Sequence, residues 1–284
     1  MILKINNAKK RYPAFELDCS MEVHPGEIVG LIGKNGAGKS TTFSLTLGLD
    51  RLDGGEIELF GKPIQELDDQ IKQKLGVVLS DSTFNGNLTI QSIQNILKAM
   101  YTKFQPRFFE EKVKAFELPR KQAIRTFSTG MKAKLNILIA LSHQAEFLIL
   151  DEPTSGLDAI AREEILDMLR SYMEEDPDRS ILISSHISSD LETLCDQVFL
   201  IDQGKMIFHS DMDTILSKYG ILKVSPSQFE TMDKSYLVKV KDETFGKVCL
   251  VNEKQYYLEN EPELVVENAN LDTLFTMYVQ GESK

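Results

Sequence analysis

Gly33-Lys34-Asn35-Gly36-Ala37-Gly38-Lys39-Ser40 is the stretch around which the rest of the chain is arranged. It fits the pattern G-x-x-x-x-G-K-[ST], in which a glycine-rich loop wraps polyphosphate with its backbone N–H groups. A phosphate chain needs many short, directional donors. Backbone amides reach it only where no side chain intervenes, as at Gly36 and Gly38. A helix expected to begin near Lys39 adds its positive N-terminal end. Lys39 then supplies a charge for the outer phosphates and Ser40 a hydroxyl for Mg²⁺. Residues 27–32 read as a buried strand entering the loop and 41–47 as the helix leaving it, with Gly48 as its stop. In that setting the pattern predicts a nucleotide site.

Composition narrows the setting. The 284 residues suffice for one large domain or a domain with an appendage, and 42% hydrophobic with 26% charged residues is ordinarily globular. Net charge is −11, from 32 basic and 43 acidic side chains. So acidic a chain has no sequence-wide electrostatic footprint for nucleic acid, and none is expected as a partner. The three cysteines, Cys19, Cys195 and Cys249, stand far apart without C-x-x-C spacing, which reads as reduced core thiols in the cytoplasm. No apolar run approaches the roughly 18–20 residues that span a bilayer. Met1-Ile2-Leu3-Lys4-Ile5 lacks the apolar core of a signal peptide. Work at a membrane would therefore need another chain to supply the span.

Along the chain, residues 15–23 alternate cleanly, with Phe15, Leu17, Cys19, Met21 and Val23 apolar, which marks a half-buried and antiparallel strand. Further strands are expected over 1–9, 56–60 and 75–79. From about 81 to 145 strand signals give way to helical periodicity, over 90–101, 108–116 and 131–141, which reads as a helical insertion. Strand and helix then alternate from 147 to 201, the pattern of a largely parallel sheet covered on both faces. After 219 the pattern changes again. Strands are expected over 236–240, 247–251, 256–258 and 264–266, with a terminal helix over 271–279, as a small accessory α+β domain over 220–284.

The second strong signal is Phe147-Leu148-Ile149-Leu150-Asp151-Glu152. A buried strand ending in acid places carboxylates at the C-terminal edge of the sheet, where ligands bind in open α/β folds. Asp151 is expected to hold Mg²⁺ through water, since Mg²⁺ keeps several waters and takes few protein carboxylates. Glu152 is placed to orient or deprotonate the water attacking the γ-phosphate.

With the segments between and after them, these residues closely resemble the ATP-binding cassette (ABC) ATPases, over roughly residues 1–215. Phe127-Ser128-Thr129-Gly130-Met131 stands where that family has the signature Leu-Ser-Gly-Gly-Gln, Ser155-Gly156-Leu157-Asp158 resembles the loop after its catalytic Glu, and His186 matches its switch histidine. The resemblance implies a P-loop NTPase of α/β class over residues 1–219: a mostly parallel sheet, an antiparallel β subdomain, and a helical subdomain at about 81–145. It implies ATP and Mg²⁺ as ligands. The ATP-binding set is Gly33, Asn35, Gly36, Ala37, Gly38, Lys39, Ser40 and Thr41, with Tyr12 against adenine, where stacking competes with simple edge packing. Lys39, Glu152 and His186 carry turnover, and Ser40 and Asp151 the metal.

In the family two cassettes pack head to tail, so each ATP lies between one phosphate loop and the partner's signature. Ser128, Thr129 and Gly130 would then act in trans, and Asp158 would contact the partner. Ser128 can independently be read as the cap of the helix near Met131, with Gly130 letting the backbone approach an anion.

Two positions depart from the family pattern. The glutamine expected after strand 75–79 is Ser80, followed by Asp81, so Asp81 or a water takes its role, or coupling is altered. Thr129 replaces the signature's first glycine, adding a methyl near the partner's phosphate. The implied function is an ATPase subunit that closes as a homodimer or heterodimer around two ATP. It would drive a separate transmembrane permease, in the export direction, from the inner face of the cell membrane. The alternatives are a soluble cassette ATPase acting on ribosomes or DNA, and a nucleotide switch that scarcely hydrolyses.

Overall fold

The computed structural model describes residues 1–80, 85–244 and 246–283. β1 (Leu3–Tyr12) and β2 (Phe15–Val23) form an antiparallel pair, and β3 (Ile28–Ile32) leads into the glycine loop and α1 (Lys39–Thr46). β4 (Gly54–Leu59), β5 (Lys62–Pro63), α2 (Asp69–Lys72) and β6 (Leu75–Val78) follow. Then come α3 (Ile90–Met100), α4 (Pro106–Ala115) and α5 (Thr129–Leu141). β7 (Phe147–Asp151), α6 (Ala159–Glu174), β8 (Ser180–Ser185), α7 (Ser188–Leu194) and β9 (Gln197–Asp202) alternate as expected. β10 (Lys205–Asp211) and α8 (Met212–Lys218) complete this part.

The described strands β1 to β10 form one ten-stranded sheet in the order β5-β4-β1-β2-β10-β9-β3-β8-β7-β6. β9, β3, β8, β7 and β6 pair in parallel. β3, β7 and β8 are buried at every residue, as strands covered by helices on both faces must be. The antiparallel strands are half covered instead: in β2, Leu17, Cys19, Met21 and Val23 point inward. β10 joins the two regions, antiparallel to β9 and touching β2 in parallel at Lys205 and Asp18. The helices of the insertion have a core of their own, built on Ile90, Phe109, Phe127, Leu135 and Leu138.

Beyond α8 the chain forms β11 (Gly220–Val224), α9 (Pro226–Thr231), β12 (Leu237–Glu243), β13 (Gly246–Val251), α10 (Lys254–Asn260), β14 (Val266–Asn268), α11 (Leu271–Gln280) and β15 (Glu282–Ser283). The five strands make a separate sheet, β14-β11-β13-β12-β15. Two expectations are corrected here. Residues 256–258 are helical, because the segment offers the core one side chain per turn: Tyr257 is fully buried while Leu258 is half exposed. The strand expected over 264–266 begins only at Val266, since Leu264 closes a turn onto Glu261 O. One apolar cluster runs across residue 219, joining Leu191 and Leu194 to Ile221, Leu250, Leu271, Leu274 and Met277.

Candidate nucleotide site

β3 ends at Ile32, and the next residues turn back over the edge of the sheet. Gly33 must be glycine for space: an added Cβ would lie 2.5 Å from Ile201 O and 2.8 Å from its Cγ2. Gly38 must be glycine for its backbone as well, because it starts α1 at φ +118, a conformation L side chains rarely adopt. The amides of α1's first turn face the cleft and leave a place for an anion.

Lys39 is buried at the bottom of that cleft, 6% exposed, and its Nζ donates to Gly33 O at 2.7 Å. It also lies 3.3 Å from Glu152 Oε1, at an angle that makes no hydrogen bond, so that carboxylate oxygen is buried without a hydrogen-bond donor. A buried acceptor aimed into a cleft costs free energy unless something arrives to meet it.

Asp151 ends β7 and is 2% exposed. Three hydroxyls donate to it: Ser40 and Ser80 to Oδ2, at 2.8 and 2.9 Å, and Ser184 to Oδ1 at 2.6 Å. Sequence reasoning missed Ser184. Its signal was the parallel register, which sets Ser184 beside Asp151 on neighbouring strands. The same hydroxyl accepts from Glu152 N at 3.0 Å and so holds Glu152 in its left-handed turn, φ 52. Serine at position 80 is short, yet it reaches Asp151. Asp81, the other residue weighed for that role, lies outside the described residues.

His186 follows β8 and closes the far side. Its backbone N–H and its Nδ1 meet Glu152 Oε2 at 3.2 and 2.5 Å. The cavity, of about 930 Å³, is lined by Tyr12, Lys34, Asn35, Gly36, Gly38, Lys39, Ser40, Thr41, Ser80, Glu152 and His186, among others. Gly33 and Ala37 shape the loop from behind: a Cβ on Gly33 would meet Ala37 Cβ at 3.2 Å, and Ala37 is buried.

Tyr12 stands at the rim, 42% exposed, and its hydroxyl donates to Asp50 Oδ2 at 2.6 Å. That bond pushes the phenol up to about 12. Lys10 and then Tyr12 hold the Asp50 carboxyl down to about 2. Lys10 Nζ lies 5.5 Å from the centre of the Tyr12 ring, and that ring lines the cavity.

Ser128, Thr129 and Gly130 do not line this cavity. Ser128 caps α5, accepting from Met131 N at 3.2 Å, and a Cβ on Gly130 would meet Ala161 Cβ at an ordinary 3.7 Å. Asp158 caps α6 through Ala161 N at 2.9 Å. Both caps are satisfied within the chain, and neither Ser128 nor Asp158 lines the cavity, although Ser155 at the start of the Asp158 loop does.

A metal must be judged by its donors. Among the described residues no group of three His, Cys, Asp or Glu side chains could hold one. The oxygens of Ser40, Ser80 and Asp151 converge, however, and suit a hard cation that takes its other ligands from phosphate and water, as Mg²⁺ does.

The family model for ABC transporters matches residues 17–155. The linearmycin resistance ATP-binding protein LnrL of Bacillus subtilis is 33% identical over 250 residues, which cover 84% of this chain and 79% of that one. The chain belongs to the ABC transporter ATP-binding proteins. A second relative of this ABC chain is the bacitracin transport ATP-binding protein BcrA of Bacillus licheniformis, 36% identical over 66% of this chain and 62% of its own. A solved ATP-binding subunit of an ABC transporter superposes with a TM-score of 0.68 at 26% identity, covering 76% of this chain and 92% of that one. A dimeric ATP-binding cassette in a post-hydrolysis state, bound to ADP and Pi, has the same fold, with a TM-score of 0.65 at 21% identity over 74% of this chain and 99% of that one. The ABC cassette binds ATP and is an ATPase, with the mixed α/β P-loop fold. No helix among its described residues is long and apolar enough to cross a membrane.

Proposed function

We propose that this ABC cassette is the ATP-hydrolysing subunit of an exporter, pairing with a second cassette, identical or different, and with a transmembrane permease at the inner face of the membrane. Residues 1–219 are the nucleotide-binding unit, with the helical subdomain at about 81–145, and 220–284 an accessory unit. One observation carries the reading: Lys39, Ser40, Asp151, Glu152 and His186, from three segments, meet at a single cleft behind the glycine loop. Export is supported by relatives named for bacitracin transport, lantibiotic transport and Nod factor export. Those names favour transport over ribosome or DNA work. Three contacts to the Glu152 carboxylate, from the Lys39 ammonium, the His186 backbone N–H and the His186 ring, favour hydrolysis over a silent switch.

The loop amides of residues 35–41 and Lys39 bind the phosphates of ATP, and Tyr12 packs on adenine. Lys39 trades its contact with Glu152 for the outer phosphates. Glu152, held by Ser184 and His186, accepts a hydrogen bond or the proton from the attacking water. His186 donates to the γ-phosphate and reports its loss. Ser40 and Asp151, with Ser80 beside them, would hold Mg²⁺, which neutralises phosphate charge. Catalysis of this kind rests on positioning and electrostatics. Ser128, Thr129 and Gly130, capped but outside their own cavity, meet the partner's nucleotide in trans, and Asp158 lies against the partner.

Purified protein tests the reading. Wild type hydrolyses ATP, and Glu152→Gln binds ATP, stalls and forms a dimer by light scattering. A co-expressed membrane permease co-purifies with it. Absence of both ATP binding and dimerisation overturns it.

A further inference from the structure

Two residues beyond His186 the chain makes a contact that the nucleotide cleft does not use. Ser188, 3% exposed, donates from Oγ to Asp272 Oδ1 at 2.5 Å. One turn on, Glu192 Oε1 accepts from the backbone N–H of Leu271 at 2.6 Å. α7 and α11 are thus tied at two points, and Leu191 and Leu194 share a core cluster with Leu271, Leu274 and Met277.

Each end of the tie is well placed. α11 begins in a reciprocal capping box: Asn270 Oδ1 accepts from Thr273 N and Thr273 Oγ1 accepts from Asn270 N. Asp272 lies in its first turn, where a carboxylate is favoured by the helix dipole. On the other side, Ile187 offers α7 no side-chain cap; the bond from Ser188 to Asp272 holds the start of that turn, and Thr154 Oγ1, donating to Asp190 Oδ2 at 2.7 Å, holds its other side. A hydroxyl donating to a carboxylate is roughly twice as strong as a neutral pair. Between the tie and Glu152 lie only Ile187, whose N–H donates to Ser185 Oγ, and His186 itself.

We propose that Ser188 and Asp272 are positioning residues for His186: the C-terminal helix holds the first turn of α7 so that His186 stays against Glu152 at the cleft. The proposal rests on the reading that Glu152 and His186 act in ATP turnover. Residues 270–274 are then part of the working ATPase, although they touch neither nucleotide nor cleft. Reacting groups displaced by about 1 Å lose rate steeply, whereas ATP is gripped chiefly by the loop after β3. Loss of the tie therefore acts on kcat and leaves KM for ATP in place.

The test uses the full chain. Ser188→Ala and Asp272→Ala are each expected to lower kcat roughly three- to tenfold with KM unchanged. Asp272→Asn, which keeps an acceptor oxygen for Ser188, restores most of the rate. In a His186→Ala background Asp272→Ala has no further effect. Independently of turnover, hydrogen exchange at the amides of residues 186–190 speeds up in Ser188→Ala and Asp272→Ala. Unchanged kcat together with unchanged exchange overturns the proposal, as does a loss that multiplies with that of His186→Ala or an Asp272→Asn no better than Asp272→Ala. Failure of the ATPase reading looks different: wild type itself does not turn over ATP, or Glu152→Gln matches it.

Discussion

Ser40 Oγ donates to Asp151 Oδ2 at 2.8 Å, joining residues 111 positions apart in the chain. One partner opens the helix after the glycine loop and the other closes the strand β7. The bond sets the edge of the cleft, and on the proposed reading it offers a hydroxyl and a carboxylate to a phosphate-bound cation.

Replacing Asp151 by asparagine keeps its shape but leaves an amide –NH₂ facing hydroxyls that donate. Ser40, Ser80 or Ser184 must then lose an acceptor. At a site 2% exposed this costs about 1–3 kcal/mol of stability. Urea unfolding of Asp151→Asn at neutral pH is expected to show a loss of that size, with ATP turnover down by about 100-fold. A variant as stable and as fast as wild type would show that the three hydroxyls contribute nothing there.

Ser80→Ala removes one of two donors to Asp151 Oδ2 and keeps the backbone. Ser40 still holds the oxygen, so the expected effect is modest, about a three- to tenfold rise in the Mg²⁺ concentration needed for half-maximal turnover, near ~1 kcal/mol for one hydrogen bond. A Mg²⁺ titration of ATPase rate reads it directly. No change in the midpoint would mean that Ser80 only fills space.

Glu152→Gln removes the carboxylate that both Lys39 and His186 face. General-base loss is expected to lower kcat by about 10²–10⁴-fold while ATP still binds. Because the slow variant retains ATP, its dimer should persist in light scattering with ATP and dissolve with ADP. A Glu152→Gln that keeps more than half the wild-type kcat would remove Glu152 from the chemistry.

Tyr12 and Asp50 titrate as a pair. Asp50, lowered from 3.8 to about 2 by Lys10 and Tyr12, adds stability that is complete above pH 3.8 and fades as pH falls through about 2. Tyr12, raised from 10.0 to about 12 by Asp50, adds stability that is complete below pH 10.0 and is lost as pH rises through about 12. Tyr12→Phe is expected to move the Asp50 titration upward in a carboxyl NMR experiment, while Lys10 keeps it below the ordinary value. Tyr12→Ala should weaken ATP binding by about tenfold, within the ~1–3 kcal/mol of a base on an aromatic ring. Calorimetric titration showing equal affinity in both variants and wild type would take adenine off this ring.

The order of the main elements up to residue 201 is legible because their signals are local, while the two-residue β5 and the single turn of α2 are too short to give one. Alternation in β2, apolar runs in β3, β7 and the middle of β8, and the glycines of residues 33–38 are each written in a few consecutive residues. Beyond that point the chain uses weaker signals. β10 offers no such signal because none of its residues is buried, and the sequence of α10 reads as a strand because only Tyr257 marks its inner face.

The sequence by itself determined that a phosphate loop, a strand ending in Asp151 and Glu152, and a capped helix at Ser128 are present. Each depends on neighbours within a turn or a strand. Only the tertiary structure decided that Ser80 reaches Asp151, that Ser184 holds Asp151 and Glu152 together, and that Asp272 grips the turn beside His186. These contacts join residues from 32 to 84 positions apart, with the Ser80 contact at 71. Their partners are chosen by strand register and helix packing, which no short window of sequence contains.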